Sequence, residues 1–487
     1  YCAKKYRTTA EVRAAWGDLT SGESLEQRTL VLPRYLAADK RCADACRFLV
    51  ETQASGHAEM TAYLRSIGFR QPAADCNMVS SRYTALLRRS FEVVDMHAYW
   101  DHPKFVQKLW SLPYGFHDQS AIKRLRFNYL NGSHSMNCFG AYFATTRHLG
   151  KPYFITEYNF VFPNRHRSEA GLYHGALAAL QGWDGIWLMG YAANKEDVLS
   201  DVPSKGFMSA SEPVLQATER QMKFLYLRGD MKESQSVVHL YGKPDDIAEN
   251  WYLGGESAAL SFMTKVGLTI ENTPPAGAVL PVSTNLSGSA FLPFAKSADT
   301  EDTAAWLDSL KGSVIPAGNK SDLRTGLIET STREARFNFN EGTIAVNTSG
   351  TRGWVIKTNG TYTVPGIRAD VDAKECSLTF SSLDGKPLDE SRRILIMFPT
   401  DALNKNMKFE SDERTTLITW GETPMLIRVG KASVILRNSN ALKLYALATS
   451  GRRIEEVPIR ASNGECTFVL AHTSKDGGVF NWELSAE

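Results

Sequence analysis

The sequence predicts an α/β domain with parallel strands followed by a mostly-β C-terminal half, and three observations carry that prediction. Helical periodicity alternates with short apolar runs through residues 1–230, the pattern of successive strand and helix units. Beyond Asp230 the apolar alternation changes to period two. Turn dipeptides such as Asn359-Gly360 and Asp384-Gly385 then punctuate the chain. At 487 residues it is long enough for about three domains with sizeable cores.

The opening residues look helical, and within residues 51–68 the side chains Met60, Tyr63, Leu64 and Ile67 follow helical spacing, with Gly68 as the stop. Strands are expected at 72–77, at 91–100 (FEVVDMHAYW), at 151–160 (KPYFITEYNF) and at 182–191 (GWDGIWLMGY). Residues 168–181 are rich in Ala, Leu and Gly, which suits a helix pressed closely on a sheet. Ser211 can cap a further helix carrying Leu215, Thr218, Met222 and Leu225 on one face.

Residues 231–328 read as a connecting domain, with a Pro-rich piece at Pro274 and Pro275, a Gly/Ser-rich piece at 286–290 and a helix near 304–310. From 329 to 487, runs such as RFNFNEGTIAV, SLTFSSLDGKPL, RRILIMF, SVILRNS and LKLYAL give the many short strands of a β-sandwich.

Composition narrows the function classes. Apolar residues at 43% and charged residues at 22% match soluble globular proteins, which argues against disorder. No apolar run approaches the roughly 18 residues that span a bilayer. The 55 Lys and Arg are interspersed with 53 Asp and Glu, so no basic face for nucleic acid is expected. The 7 cysteines form no CxxC pair and no metal-like cluster with histidine, and Cys42 and Cys46 read as small buried residues on one helix face.

The chemistry-bearing residues sit at strand ends. DMHAYWDHP puts His97 and Tyr99 on one side of a strand, then turns out through Trp100, Asp101, His102 and Pro103. ITEYN brings Glu157 to the C-terminal end of the next strand, beside Asn159, and IWLMGYA carries Trp187 and Tyr191. In a closed barrel of parallel strands, groups at the C-terminal rim converge over one mouth, so Glu157, His97, Tyr99, Trp100 and Tyr191 are expected to share a pocket. A metal-dependent hydrolase built on His97, Asp101 and His102 would need further ligands on other strands, which offer few.

This succession resembles the second half of a clan A glycoside hydrolase barrel. The segment KYRTTAEVRAAWG, residues 5–17, is similar to one that follows strand 4 in cellulase-like and beta-galactosidase-like members. The resemblance implies that residues 1–230 hold strands 5 to 8 of a (β/α)8 TIM barrel, a partial α/β barrel followed by accessory β domains. It implies Glu157 as the nucleophile, His97 and Tyr99 as its supports, and Trp187 or Tyr191 as the wall on which a sugar stacks; Trp100 is expected in the same pocket from its place at the rim, and Asn159, like Asn77, either lines the mouth or caps a loop. The implied activity is retaining hydrolysis of a β-linked oligo- or polysaccharide, with no metal or other cofactor, in an extracellular or periplasmic setting.

One departure from the family pattern matters. Members carry their acid/base glutamate after an asparagine at the end of strand 4, and no Asn-Glu pair precedes Glu157. Asn340-Glu341 is followed by Gly342 in an expected hairpin turn. The expectation is therefore an acid/base residue upstream of this chain. The alternative is a non-catalytic carbohydrate-binding or scaffold protein with a degenerate barrel.

Overall fold

The computed structural model describes residues 1–33, 39–74, 77, 81–106, 108–124, 143, 146–249, 259–273, 300–312 and 314–486. It is a mixed α/β structure with a large β-rich C-terminal region.

The strands Val94–Trp100, Tyr153–Phe160 and Gly185–Leu188 stand in that order in one parallel sheet. Each is short, apolar on alternate residues and bounded by turn or helix signals, as expected from the sequence. The segment at 72–77 runs beside the first strand: Ala73 O accepts from Val93 N at 3.4 Å and Asn77 O from His97 N at 3.0 Å. Residues 75 and 76 of that expected strand lie outside the described residues. The sheet is open, and among the described residues no barrel closes.

One sheet face is covered by helices. Val94, Met96, Ala98 and Trp100 from the first strand and Tyr153, Ile155, Tyr158 and Phe160 from the second join a single core. That core rests on the helix Ala170–Gln181, every residue of which is buried. The helix Pro213–Met222 packs against it so closely that a Cβ on Gly171 would run into Thr218 O and lie 2.7 Å from Gln221 Oε1. The expected result of Gly171→Ala is a loss of about 1–3 kcal/mol, read as a lower melting temperature, because helix backbone cannot yield as a side chain can. The cap of the second helix is Glu212 rather than Ser211: its carboxylate accepts from Leu215 N at 2.6 Å, and Pro213 occupies the first turn.

Two expectations for this region change. The helix begins at Lys40 and runs to Ser66, but Met60, Tyr63 and Ile67 on its expected core face are 63%, 66% and 63% exposed, since none of the described residues covers that stripe. Cys42 and Cys46, near its start, are buried. The α/β pattern also continues past Asp230. The strands Val237–Gly242 and Lys265–Ile270 pair in parallel, with the helix Pro244–Glu249 between them. The buried Gln181 amide ties this pair to the first helix, donating to Ser261 O at 2.6 Å and Thr264 O at 2.7 Å and accepting from Val266 N at 3.0 Å. The Pro274-Pro275 and 286–290 pieces lie outside the described residues, while a helix spans Thr300–Ser309.

The C-terminal region holds a nine-stranded and a five-stranded antiparallel sheet. Leu378, Phe380, Ile394 and Trp482 of the larger and Ala369, Val434, Leu436 and Phe468 of the smaller share one core, so the sheets pack face to face. The strand Cys376–Ser382 is buried on both faces, and its period-two pattern shows why: Cys376, Leu378 and Phe380 enter that core. Ser377 and Thr379 instead accept hydrogen bonds from the Gln221 amide, at 3.0 and 3.2 Å, on the helix side. Asn340 and Glu341 sit in the hairpin between Ala335–Asn338 and Thr343–Asn347, closed by Gly342 at φ 77°.

Candidate active site

The sheet face away from the helices is polar and aromatic, and a register shift sets which residues it receives. Met96 pairs with Ile155 but His97 pairs with Glu157, so Thr156 is an extra residue on the central strand. Without it, Glu157 would share the helix-facing side of Tyr153 and Ile155. With it, Asp95, His97, Tyr99, Phe154, Thr156, Glu157 and Trp187 all belong to the open face.

Glu157 lies between its supports. The Tyr99 hydroxyl donates to Glu157 Oε2, and His97 Nδ1 stands 3.5 Å from the same oxygen. Burial raises the Tyr99 phenol above its ordinary value, and the carboxylate that accepts its proton raises it further, so Tyr99 remains a donor. Burial pulls the His97 imidazole down against the opposing pull of Glu157 and Asp95, which favours its neutral form. Behind them, Thr156 donates to Asp95 Oδ2 at 3.0 Å and accepts from the Asn77 amide at 3.3 Å. These contacts fix the bulge that aims Glu157.

Aromatic rings pack around Tyr99, which holds the carboxylate. Tyr99 lies 4.5 Å from Phe207 and 6.0 Å from His102, while Phe207 lies 6.0 Å from Trp110, which is 52% exposed. Trp187 leans on Phe154 at 5.3 Å and is 51% exposed, and Tyr191, just past the third strand, is 61% exposed. Exposed indole and phenol faces of this kind suit the apolar C–H patches of a pyranose. Phe207 and Trp110 come from loops distant in sequence, where strand periodicity gives no signal; Asp95 has the parity of His97 and Tyr99 and was available from the pattern.

Two expected site residues are corrected. Trp100 falls on the helix side by strand alternation, is 2% exposed and donates to Gln119 O at 2.7 Å. It is a core residue. Asn159 is wholly buried and its amide is fully engaged, donating to Met189 O at 2.7 Å and Phe207 O at 2.6 Å and accepting from Phe160 N at 2.8 Å. It clamps the rim loops to the strand and offers no group to a ligand. Asp101 is also buried: it accepts from Asp118 N at 2.7 Å, and burial pushes its carboxyl up to about 6. His102 Nδ1 lies 2.9 Å from Pro103 O, a local turn contact.

Among the described residues, one His and carboxylate group has a geometry that could hold a cation: His166, Glu169 and Glu375, whose ligand atoms lie within 4.8 Å of one another. The Lys357 ammonium is already seated in it, bonded to Glu169 and 2.7 Å from Glu375 Oε2. This cluster joins the α/β part to the sandwich.

No family model matches the chain, and no curated protein matches it. Among solved structures, the apo exo-carrageenase GH42 from Bacteroides ovatus is similar over 100% of this chain and 62% of that one, at 11% identity and a TM-score of 0.29. The chain therefore spans less than two thirds of that structure, and a likeness at this score carries no argument about activity. No helix among the described residues is long and apolar enough to cross a membrane.

Proposed function

We propose that this chain carries the nucleophile of a retaining glycoside hydrolase acting on a β-linked oligo- or polysaccharide, with Glu157 in that role. The observation that supports it is the bond from Tyr99 to Glu157 on a sheet face that also carries the exposed Trp187 indole. A hydroxyl donated to one carboxylate oxygen fixes the orientation of the group and leaves the other oxygen to face an anomeric carbon.

In the reaction, a Glu157 oxygen forms a bond to the anomeric carbon while the glycosidic C–O bond breaks and the leaving oxygen takes a proton from an acid. Water then attacks the glycosyl ester, gives its proton to that same acid, now a base, and frees Glu157. Such an acid stands about 5–5.5 Å from the nucleophile. The family pattern places that acid after an asparagine at the end of a strand, and no Asn-Glu pair precedes Glu157 in the sequence, so the reading assigns the acid to no residue of that pattern here.

That requirement shapes the test. A dinitrophenyl 2-deoxy-2-fluoro-β-glycoside has a leaving group that needs no proton, so the nucleophile alone can displace it. Given a panel of such sugars, the chain is expected to release a stoichiometric burst of dinitrophenolate and to retain the fluorosugar on the peptide containing Glu157. A chain that binds β-linked oligosaccharide but takes no label from any sugar is the non-catalytic protein instead.

A further inference from the structure

We propose that the cavity between the helix Pro213–Met222 and the sandwich binds a small carboxylic acid with an apolar body and a hydroxyl or amide N–H beside its carboxylate. The cavity holds about 340 Å³, at the lower end of the range for small-molecule sites, and lies where two packed parts of the chain meet. Pro213, Gln216 and Arg220 line it from the helix at spacing i, i+3, i+7. That face is opposite Thr218 and Met222, which meet the neighbouring helix at Gly171 and Gly175. Ile427, Val479, Phe480 and Asn481 line the cavity from the β region.

Two polar groups in this lining keep bonding capacity to spare, and they define the ligand. Arg220 forms no ion pair among the described residues; its hydrogen bond there runs from Nη1 to Gln216 O at 2.9 Å, within its own helix. The Nε–Nη2 edge is left, an edge on which a carboxylate docks with two parallel bonds. None of the described lining residues is acidic, so no carboxylate of the cavity wall competes for it. Asn481 is 8% exposed, its backbone is held between Met397 and Leu447, and its Oδ1 is buried with no hydrogen-bond partner among the described residues. An unpaired buried acceptor is unfavourable, so a ligand that brings a donor makes the bond that the fold leaves unmade. The side chains of Ile427, Val479 and Phe480 offer apolar surface and no hydrogen-bonding group, which selects an apolar body over a polyol.

The cavity is separate from the Glu157 face. The helix Pro213–Met222 covers Ala170–Gln181, which in turn covers the sheet face that Glu157 does not occupy. The inference goes beyond the glycosidase reading and stands or falls independently of it.

The test is calorimetry and thermal melting on the purified chain with phenyllactate and N-acetylphenylalanine, against three probes that each lack one feature: phenylpropionate has no donor beside its carboxylate, phenylethanol no charge and lactate no apolar body. One of the first two is expected to bind at about millimolar concentration or below and to raise the melting temperature, with each deficient probe at least about tenfold weaker. Phenyllactate outperforming N-acetylphenylalanine identifies a hydroxy acid as the ligand type, and the reverse identifies an N-acyl amino acid. Arg220→Gln is expected to weaken the preferred acid at least about tenfold by removing the charge-assisted pair. Asn481→Leu, of similar volume, is expected to melt no lower than the parent, since it removes an unpaired buried acceptor, while the preferred acid falls to the affinity of phenylpropionate. Binding by neither acid, equal binding of phenylpropionate in the parent, or affinity unchanged in Arg220→Gln overturns the proposal.

Discussion

Glu157→Gln is expected to lower turnover of an activated aryl β-glycoside by at least about 10³-fold while leaving the melting temperature close to that of the parent chain. The carboxamide has nearly the same volume, and its oxygen can still accept from Tyr99, so the half-exposed position keeps its packing and its hydrogen bond. What it loses is the capacity to form a glycosyl ester. The effect belongs in kcat, because the amide removes an interaction made only as the bond to carbon forms. Tyr99→Phe separates aiming from attack: its ring still packs on Phe207 at 4.5 Å, but the donated hydroxyl is gone, and a loss of about 10–100-fold is expected. Glu157→Gly offers the complementary reading. Added azide can enter the space left by the side chain and attack the anomeric carbon directly, displacing the aryl oxide and giving a glycosyl azide of inverted configuration. Hydrolysis undiminished in Glu157→Gln would end the nucleophile assignment, and azide rescue absent from Glu157→Gly would weigh against it in the same direction.

The parallel strands and the close-packed helix were legible because their signals are local. FEVVDMHAYW and YFITEYNF show period-two burial within a few residues, and Gly171 and Gly175 announce a helix that meets its neighbour at backbone distance. Parity along the first strand also separates Trp100 from His97 and Tyr99, so its place in the core follows from alternation once the strand's register is known. The bulge at Thr156 is different in kind. No residue type marks it, and it decides which sheet face receives Glu157, so a strict count from Tyr153 would send the carboxylate into the core. Asn159 fails for a related reason: a polar residue at a strand end looks available until the loops carrying Met189 and Phe207 are seen to use all of its amide. The parallel pair within 237–270 was obscured because its strands are short and linked to the first helix through one glutamine side chain, a tertiary contact with no sequence period. The helical stripe of Met60, Tyr63 and Ile67 shows the converse, since periodicity identifies an apolar face without identifying what covers it.

Lys357→Met is expected to destabilise the chain by about 3–5 kcal/mol at neutral pH, the usual consequence of removing one partner from a buried ion cluster. Lys357 follows the strand Thr351–Ile356, whereas Glu169 precedes the helix Ala170–Gln181, so the pair holds the sandwich against the α/β part. Burial opposes the charge on Lys357, yet Glu169 and Glu375 outweigh it and raise its pKa. Burial likewise opposes the charge on Glu375, and His166 and Lys357 outweigh that, holding its carboxyl at about 2. The signs give two windows. A depressed Glu375 contributes stability above its ordinary value of 4.5 that is lost as pH falls through its folded value of about 2. A raised Lys357 contributes stability below 10.5 that is lost as pH rises through its folded value. In Lys357→Met the Glu375 carboxyl keeps His166 but loses the ammonium that also offsets its burial, so its folded pKa moves up from about 2. Acidification from about pH 7 to about pH 5 should then stabilise the variant relative to the parent, narrowing the gap between their urea midpoints. Adding Glu169→Gln and Glu375→Gln should recover part of the loss at neutral pH, because neutral amides need no buried cation. A deficit below about 1 kcal/mol, the scale of a solvent-screened surface pair, or one that widens on acidification, would show that this cluster does not lock the two parts together.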